Sequence, residues 1–186
     1  PATLAQEFAR LDHISDGRMV LGLGSSGHQV IEHFFGVPFE RPLRRIREYV
    51  EIFQMLIAGE RLEYEGELFK LERGFKLDYP RPRNHIPVWI AAITPRSISQ
   101  TAEIAEGILP LHWPTKLLPQ LRDQLDEAAA AVGRDPSRIT LAPFTRVFIL
   151  NGNAGEDEVK WMEARNHVHH YVNRMGDFYW KMLTRN

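Results

Sequence analysis

The chain has 186 residues, of which 44% are hydrophobic and 25% are charged, and it contains no cysteine. That apolar content excludes a disordered chain, and the lack of cysteine excludes a disulfide-stapled scaffold. The formal net charge of -1 gives no general attraction to nucleic acid or to an anionic membrane surface. No apolar run reaches the roughly 20 residues of a membrane helix, so we expect one globular, cytoplasmic unit.

In the first half of the chain, helical patterns surround one apolar strand. Apolar residues at helical spacing predict a helix over residues 2–13, and the apolar run 18–23 predicts a buried strand. A short helix is expected around residues 29–35. The next helix has an apolar face of Leu43, Ile46, Val50, Phe53 and Ile57, opposite a charged face of Arg44, Arg45, Arg47, Glu48 and Glu51. Residues 61–87 show no helical period, and alternation within them predicts a hairpin.

The second half of the chain alternates regularly between strands and helices. Three apolar runs predict strands at residues 88–93, 108–111 and 139–150. Helices are predicted over residues 94–107, 115–133, 156–171 and 177–185. The first of these helices has Thr94 as its N-cap and Pro95 as its first residue. Strands separated by helices imply parallel pairing with right-handed crossovers, so the predicted fold class is α/β.

A glycine-rich motif follows the first predicted strand. Residues 22–27 read G-x-G-x-x-G, a spacing that lets backbone amides approach a pyrophosphate at a helix N-terminus. A dinucleotide-binding fold also needs a second strand and an acidic residue about 20 positions on, where this chain has an arginine-rich helix. A tight structural turn is one alternative to a dinucleotide site. We favour another, a site where Ser25 and Ser26 face a different ligand.

A second candidate site lies at the junction of the strand 88–93 and the helix after it. Ala91 and Ala92 are small enough to leave room for a ligand, and the helix begins at that point. The amides of a first helical turn stabilise phosphate or carboxylate groups. An ordinary turn capped by Thr94 explains the same pattern, and the residues alone favour neither interpretation.

Histidines and arginines supply the remaining candidates. His112 and Trp113 follow a strand and are expected to line a ligand face. His167, His169 and His170 are spaced one to three positions apart on a helix, unlike an i, i+4 metal pair, so we expect them to be solvated and predict no metal site. The arginines of residues 81–83 are expected in a solvated loop, and those of residues 44–47 on a solvated helix face.

Several motifs, in order, resemble the luciferase-like flavin and deazaflavin oxidoreductases. Residues 11–18 (LDHISDGR) and 21–26 (LGLGSS) are similar to the LD-x-x-S-x-GR…GxG stretch of that family. Further similar segments, in the same order, are residues 29–32, 35–39, 47–52, 64–69, 87–95, 102–107 and 175–179. The Ser25-Ser26-Gly27 variant, with residues 35–39 and 90–94, is most similar to the branch that uses coenzyme F-420, a deazaflavin.

The resemblance implies a (β/α)8 TIM barrel whose cofactor lies at the carboxyl ends of the strands. The cofactor-binding residues it implies are Gly24, Ser25, Ser26, Ala91, Ala92, Ile93 and Thr94, and it identifies no catalytic residue. The implied activity is hydride transfer between coenzyme F-420 and a small organic substrate. Two alternatives stay open: an FMN-dependent monooxygenase, and a non-catalytic scaffold that at most binds a flavin phosphate.

The chain is short for such a barrel. Four strands are predicted, whereas a complete barrel needs eight strands and about 250 residues. The resemblance places the chain at roughly strands 4–7, as a single partial barrel domain over residues 1–186 with a hairpin or loop insertion at 61–87. We therefore expect a larger parent enzyme, or a homo-oligomer or complementary chain that completes the barrel.

Overall fold

The computed structural model of the chain describes residues 1–174 and 177–184. The α-helices are α1 (Ala2–Ile14), α2 (Pro42–Ala58), α3 (Pro95–Ile104), α4 (Leu118–Ala131), α5 (Ala154–Arg174) and α6 (Phe178–Thr184). The strands are β1 (Leu21–Leu23), β2 (Tyr64–Glu65), β3 (Lys70–Leu71), β4 (Val88–Ile90), β5 (Gly107–Ile108) and β6 (Thr140–Leu141). A π-helical segment spans Gln29–Phe34, and 3-10 turns span Thr115–Leu117 and Pro136–Arg138. Residues 175, 176 and 185, which belong to predicted segments, lie outside the described residues.

The central element is a parallel sheet with the strand order β1-β4-β5-β6. β1 pairs with β4, β4 with β5, and β5 with β6, all parallel. Helices connect these strands along the chain. This order confirms the predicted α/β class with parallel strands. The strands β2 and β3 pair antiparallel and confirm the hairpin within residues 61–87. The assignment of residues 1–186 to a single partial barrel domain stays a prediction.

All four strands of the parallel sheet are shorter than their predicted apolar runs, and the reason is clearest for β1 and β6. The run 18–23 enters the sheet only at Leu21, because the Met19 amide donates to the side chain of Asp12 instead. In the run 139–150, pairing ends with the isolated bridge of Phe144 to Leu111. Val147 and Ile149 are each 76% exposed, so the predicted strand is wrong over residues 145–150. No strand flanks them in the described part of the chain, and without a partner an apolar run forms no ladder.

The helices bury their apolar faces against the sheet and against one another. In α2, Ile46, Val50, Phe53 and Ile57 are buried as predicted, and Phe53 packs edge-on against Phe8 of α1 at 5.8 Å between ring centroids. The predicted charged face of α2 is wrong at Glu48, which is fully buried. Its carboxylate accepts hydrogen bonds from backbone amides of the hairpin, a partner that helical periodicity cannot reveal.

The basic loop at residues 81–83 is also not simply solvated. The Arg83 guanidinium forms a two-pronged ion pair with Asp12, which is 1% exposed. The same guanidinium donates to the Met19 carbonyl. Arg83 therefore joins α1 to the segment that leads into β1. Within the described residues, no helix combines the length and the apolarity needed to cross a bilayer.

Candidate active site at the carboxyl edge of the sheet

The two segments predicted to bind a cofactor meet at the carboxyl ends of β1 and β4. Leu23 lies opposite Ile90, and the Ala91 amide donates to the Leu23 carbonyl at 2.8 Å. Gly24 follows directly, and a Cβ atom on it would lie 3.2 Å from the Ala91 Cβ. A side chain at position 24 would therefore press on Ala91, so glycine is what permits this close approach. The sequence prediction placed both segments at one edge, and the structure brings them into contact.

The serines after Gly24 form a strained turn. Ser26 has a φ of 57°, a left-handed conformation that non-glycine residues rarely adopt. The Ser25 hydroxyl donates to the Ser26 carbonyl at 3.3 Å, and Ser26 is exposed. The Gly27 carbonyl then accepts the first hydrogen bonds of the π-helical segment. Strained residues of this kind cluster at ligand-binding sites.

A cavity of about 400 Å³ opens beside this turn. Gly24 and Ser25 form part of its wall, and Arg45 and Glu40 are its charged members. Its remaining lining residues are Leu23, Ile31, Phe35, Val37, Pro38, Phe39, Pro42, Ile46 and Tyr49. This size and apolar character are typical of small-molecule sites. The sequence prediction missed this wall, and it placed Arg45 on a solvated face although the side chain is half-buried here.

Residues 91–94 stand beside the cavity and are not among its described lining residues. Thr94 caps α3 as predicted: its hydroxyl accepts from the Ser97 amide at 3.2 Å, and the Ser97 hydroxyl accepts from the Thr94 amide at 3.0 Å. Pro95 has no amide hydrogen, and the Ser97 amide already donates to Thr94. In the described first turn of α3, the Arg96 amide therefore remains as the donor for an anion. The helix start thus offers an anion fewer donors than its sequence suggested.

The cap gives a direct stability test. We expect Thr94→Val to lower the free energy of unfolding by about 1 kcal/mol, because the Ser97 amide loses its acceptor. Thr94→Ser keeps the hydroxyl and should leave stability nearly unchanged. Urea unfolding followed by circular dichroism measures both variants. Equal stability of the Val and Ser variants would show that the cap contributes nothing.

An aromatic cluster lies at the carboxyl end of β5. The His112 ring packs edge-on against His167 and Tyr171 of α5, with ring centroids 4.7 and 4.4 Å away, and against Tyr179 of α6 at 6.1 Å. The prediction of solvated histidines is therefore wrong for His167, which is half-buried, and right for the exposed His169 and His170. It failed because the packing partner, His112, lies far away in the sequence.

Trp113, the other residue predicted to line a ligand face, points elsewhere. Its indole nitrogen donates to the Leu117 carbonyl at 3.3 Å, and its ring packs against the hydrophobic core. Among the residues described by the structure, no three histidine, aspartate or glutamate side chains come together as metal ligands.

The pKa values of both histidines in the cluster are lowered. Burial, followed by the positive charges of His167 and Arg146, lowers the pKa of His112 below its usual 6.5. Burial, followed by the charges of Arg146 and His170, lowers the pKa of His167 in the same direction. Between these lowered values and 6.5 the unfolded chain binds more protons than the folded chain, so stability falls as the pH drops through that window.

We expect the free energy of unfolding to be lower just below pH 6.5 than above it. A His112→Asn/His167→Gln double variant removes both titrating groups, and asparagine tolerates the left-handed backbone of position 112. The free energy of unfolding of this variant should change less with pH than that of the wild type. The matched control His169→Gln changes an exposed histidine and should keep the wild-type profile. Identical profiles for the double variant and the wild type would contradict the burial of these rings.

Comparison with known proteins finds one matching family and several similar sequences. The family profile described as luciferase-like monooxygenase matches residues 1–179. An F-420-dependent glucose-6-phosphate dehydrogenase from Microbacterium testaceum is 36% identical over 137 residues, which are 69% of this chain and 40% of that protein. The chain spans less than half the length of the curated relatives it matches.

Two solved structures show the same fold. The coenzyme F-420-dependent tetrahydromethanopterin reductase from Methanopyrus kandleri superposes with a TM-score of 0.72 at 23% identity, over 97% of this chain and 61% of that chain. A riboflavin lyase with modified FMN superposes with a TM-score of 0.74 at 18% identity, over 91% of this chain and 44% of that chain. The four-stranded parallel sheet is thus part of a TIM-barrel fold.

Proposed function

This chain belongs to the luciferase-like monooxygenase family, and on that basis we propose that it is the deazaflavin-binding part of a coenzyme F-420-dependent oxidoreductase. The observation that carries the proposal is the contact of Gly24 with Ala91 beside an apolar cavity at the carboxyl edge of the sheet. Active sites of barrel enzymes lie at this edge. The 36% identity to an F-420-dependent dehydrogenase supports the deazaflavin as the cofactor.

The residues present fit such a cofactor. The apolar walls of the cavity suit a planar ring system, and its one described cation, Arg45, suits an anionic substituent. The Ser26 hydroxyl and the Arg96 amide are hydrogen-bond donors for a phosphate, and the Ser25 hydroxyl would join them on turning away from the Ser26 carbonyl. We propose Gly24, Ser25, Ser26 and the segment from Ala91 to Thr94 as the cofactor contacts. When bound, the deazaflavin ring would accept or supply the hydride, while the protein groups position and polarise it.

One alternative has support of its own. The riboflavin lyase structure holds a modified FMN in the same fold, which favours an FMN-dependent enzyme as the second candidate. The non-catalytic scaffold that at most binds a flavin phosphate stays a prediction. A small organic molecule is the proposed substrate in either enzyme. The cytoplasmic location and the oligomer or complementary chain expected from the sequence stay predictions.

A turnover assay distinguishes the two candidate cofactors, coenzyme F-420 and FMN. The chain is mixed anaerobically with coenzyme F-420 and either glucose 6-phosphate or 2-propanol, and loss of the deazaflavin absorbance reports hydride transfer. We expect this loss with at least one alcohol. In a separate aerobic assay we expect no oxygen uptake with reduced FMN beyond the uncatalysed oxidation of the free flavin. Oxygen uptake with reduced FMN and no change with F-420 would favour the monooxygenase. Binding of F-420 without any reduction would favour the scaffold.

A further inference from the structure

The aromatic cluster around His112 contains two polar atoms that the fold leaves unused. His112 Nε2 and His167 Nε2 are both buried, and neither has a hydrogen-bond partner among residues 1–174 and 177–184. Buried polar atoms in folded proteins nearly always have a partner, so two unpaired ring nitrogens within one cluster need an explanation. Their rings are 4.7 Å apart between centroids, which puts both atoms in one small region.

The tautomer of His167 follows from its neighbour. Arg146 Nη1 lies 3.1 Å from His167 Nδ1, and a guanidinium can only donate hydrogen bonds. Nδ1 of the neutral ring must therefore accept, which leaves the hydrogen on Nε2. His167 thus presents a buried N–H donor without an acceptor. The guanidinium lies on the opposite side of the ring, so the group that faces the cluster is uncharged.

His112 is held in place at a conformational cost. Its φ of 56° lies in the left-handed region, where glycine or asparagine is favoured over histidine. In this strained conformation the His112 ring packs against both Tyr171 and His167. Packing alone would not require an imidazole at this position. A strained residue with an unpaired ring nitrogen is the pattern expected of a ligand contact.

The cluster belongs to the same edge of the sheet as the glycine turn. His112 follows the carboxyl end of β5, the strand next to β4. The pKa of Asp177, just before α6, is lowered mainly by its hydrogen bond to Lys181 and in smaller part by the charge of His28. His28 follows the glycine turn directly, so the charge of a residue beside the proposed cofactor contacts acts at the start of α6.

We propose that His112 and His167, enclosed by Tyr171 and Tyr179, hold the carbonyl or hydroxyl oxygen of an uncharged organic substrate, with His167 Nε2–H as the donor. This inference rests on the proposed function, because it assigns the substrate side of the same site. A neutral N–H in a desolvated aromatic setting matches a neutral oxygen acceptor. A carboxylate would instead need a cation on the side where the rings are uncharged.

The test uses the 186-residue chain with acetone and 2-propanol as neutral probes and acetate as the charged probe. Long-range proton–nitrogen NMR spectra report each histidine ring separately. We expect acetone or 2-propanol to shift the His167 Nε2 and His112 ring signals at concentrations that leave His169 unchanged. Acetate at the same concentration should shift these two ring signals less. Shifts of equal size in all three rings, no shift in His112 and His167, or a preference for acetate would each overturn the proposal.

Variants give a second readout. His167→Phe keeps a ring but removes the donor, and we expect roughly three- to ten-fold weaker probe binding. His167→Gln retains an N–H near the same position and should restore part of the affinity. His169→Phe is the matched control, since that residue is exposed on the same helix. Probe binding to His167→Phe equal to that of the wild type would overturn the role of the donor.

Titration with coenzyme F-420 in the same variants separates the two proposals. We expect F-420 to bind His167→Phe as tightly as the wild type, because the proposed cofactor contacts lie in the segments that follow β1 and β4. If F-420 binds and the probes do not perturb the histidines, the substrate-side inference fails alone. If the probes perturb the histidines and F-420 does not bind, the oxygen site stands and the proposed cofactor is wrong.

Discussion

Glu48→Ala is expected to lower the free energy of unfolding by about 3–4 kcal/mol. The Glu48 carboxylate is fully buried and accepts hydrogen bonds from the amides of Glu67 and Phe69, each at 2.9 Å, and of Leu68 at 3.0 Å. Removing it leaves these donors without an acceptor inside the fold. The hairpin approaches very closely here: a Cβ atom on Gly66 would lie 2.5 Å from Glu48 Oε2.

Urea unfolding of Glu48→Ala, compared with Glu7→Ala, measures this effect. Glu7 is an exposed glutamate within α1, so the same chemical change occurs there without a buried partner. We expect the Glu7 variant to stay within about 0.5 kcal/mol of the wild type. Hydrogen exchange should also become faster at the amides of Leu68 and Phe69 in the Glu48 variant. If Glu48→Ala lowers the free energy of unfolding by less than about 1 kcal/mol, water must accept the hydrogen bonds of these amides in place of the carboxylate.

Asp12→Asn is expected to lower the free energy of unfolding by about 3 kcal/mol. The substitution removes the charge that compensates Arg83 and one acceptor for its guanidinium, and breaking a buried ion pair leaves the other charge uncompensated. The estimate is at the low end for buried pairs, because the Arg83 side chain is 29% exposed and water can screen it. The Met19 amide, which donates to Asp12 Oδ1 at 3.1 Å, also loses a charged acceptor.

A double-mutant cycle with Arg83→Met isolates the pair. We expect the double variant to be more stable than the sum of the single effects by about 1–2 kcal/mol, because it leaves no charge unpaired. Asp78→Asn is the matched control, since Asp78 is exposed. Additive single effects, or equal losses for the substitutions at positions 12 and 78, would contradict the assigned role of the ion pair.

These two carboxylates also show what the sequence can and cannot reveal. The periodicity of α2 predicted its buried apolar residues correctly, yet it assigned Glu48 to solvent. The partners of Glu48 and of Asp12 lie about 20 and 71 positions away along the chain, and no local pattern encodes such contacts. The LD-x-x-S-x-GR motif gave the family resemblance, and several of its residues make structural contacts here. Asp12 pairs with Arg83, and the Arg18 side chain donates to the Ser15 carbonyl.

The candidate site was predictable where it depends on topology. Carboxyl ends of neighbouring parallel strands share an edge, so the proximity of Gly24 and Ala91 follows from the strand order. The cavity wall was not predictable, because it depends on how an irregular π-helical segment folds back toward α2. The pairing of His112 with His167 was missed for a similar reason, since no local pattern encodes a contact between two residues so far apart in the sequence.

Equilibrium binding of coenzyme F-420 to the wild type and to Gly24→Val, followed by quenching of the cofactor fluorescence, tests the central claim most directly. Valine at position 24 would press on Ala91 and occupy the cavity wall, so we expect affinity to fall by about tenfold or more. Gly155→Val, where a Cβ meets only an ordinary contact of 3.7 Å, should bind as the wild type does. Saturable wild-type binding that Gly24→Val weakens and Gly155→Val does not is the predicted result. No binding to the folded wild type, or equal affinity in all three proteins, would contradict it.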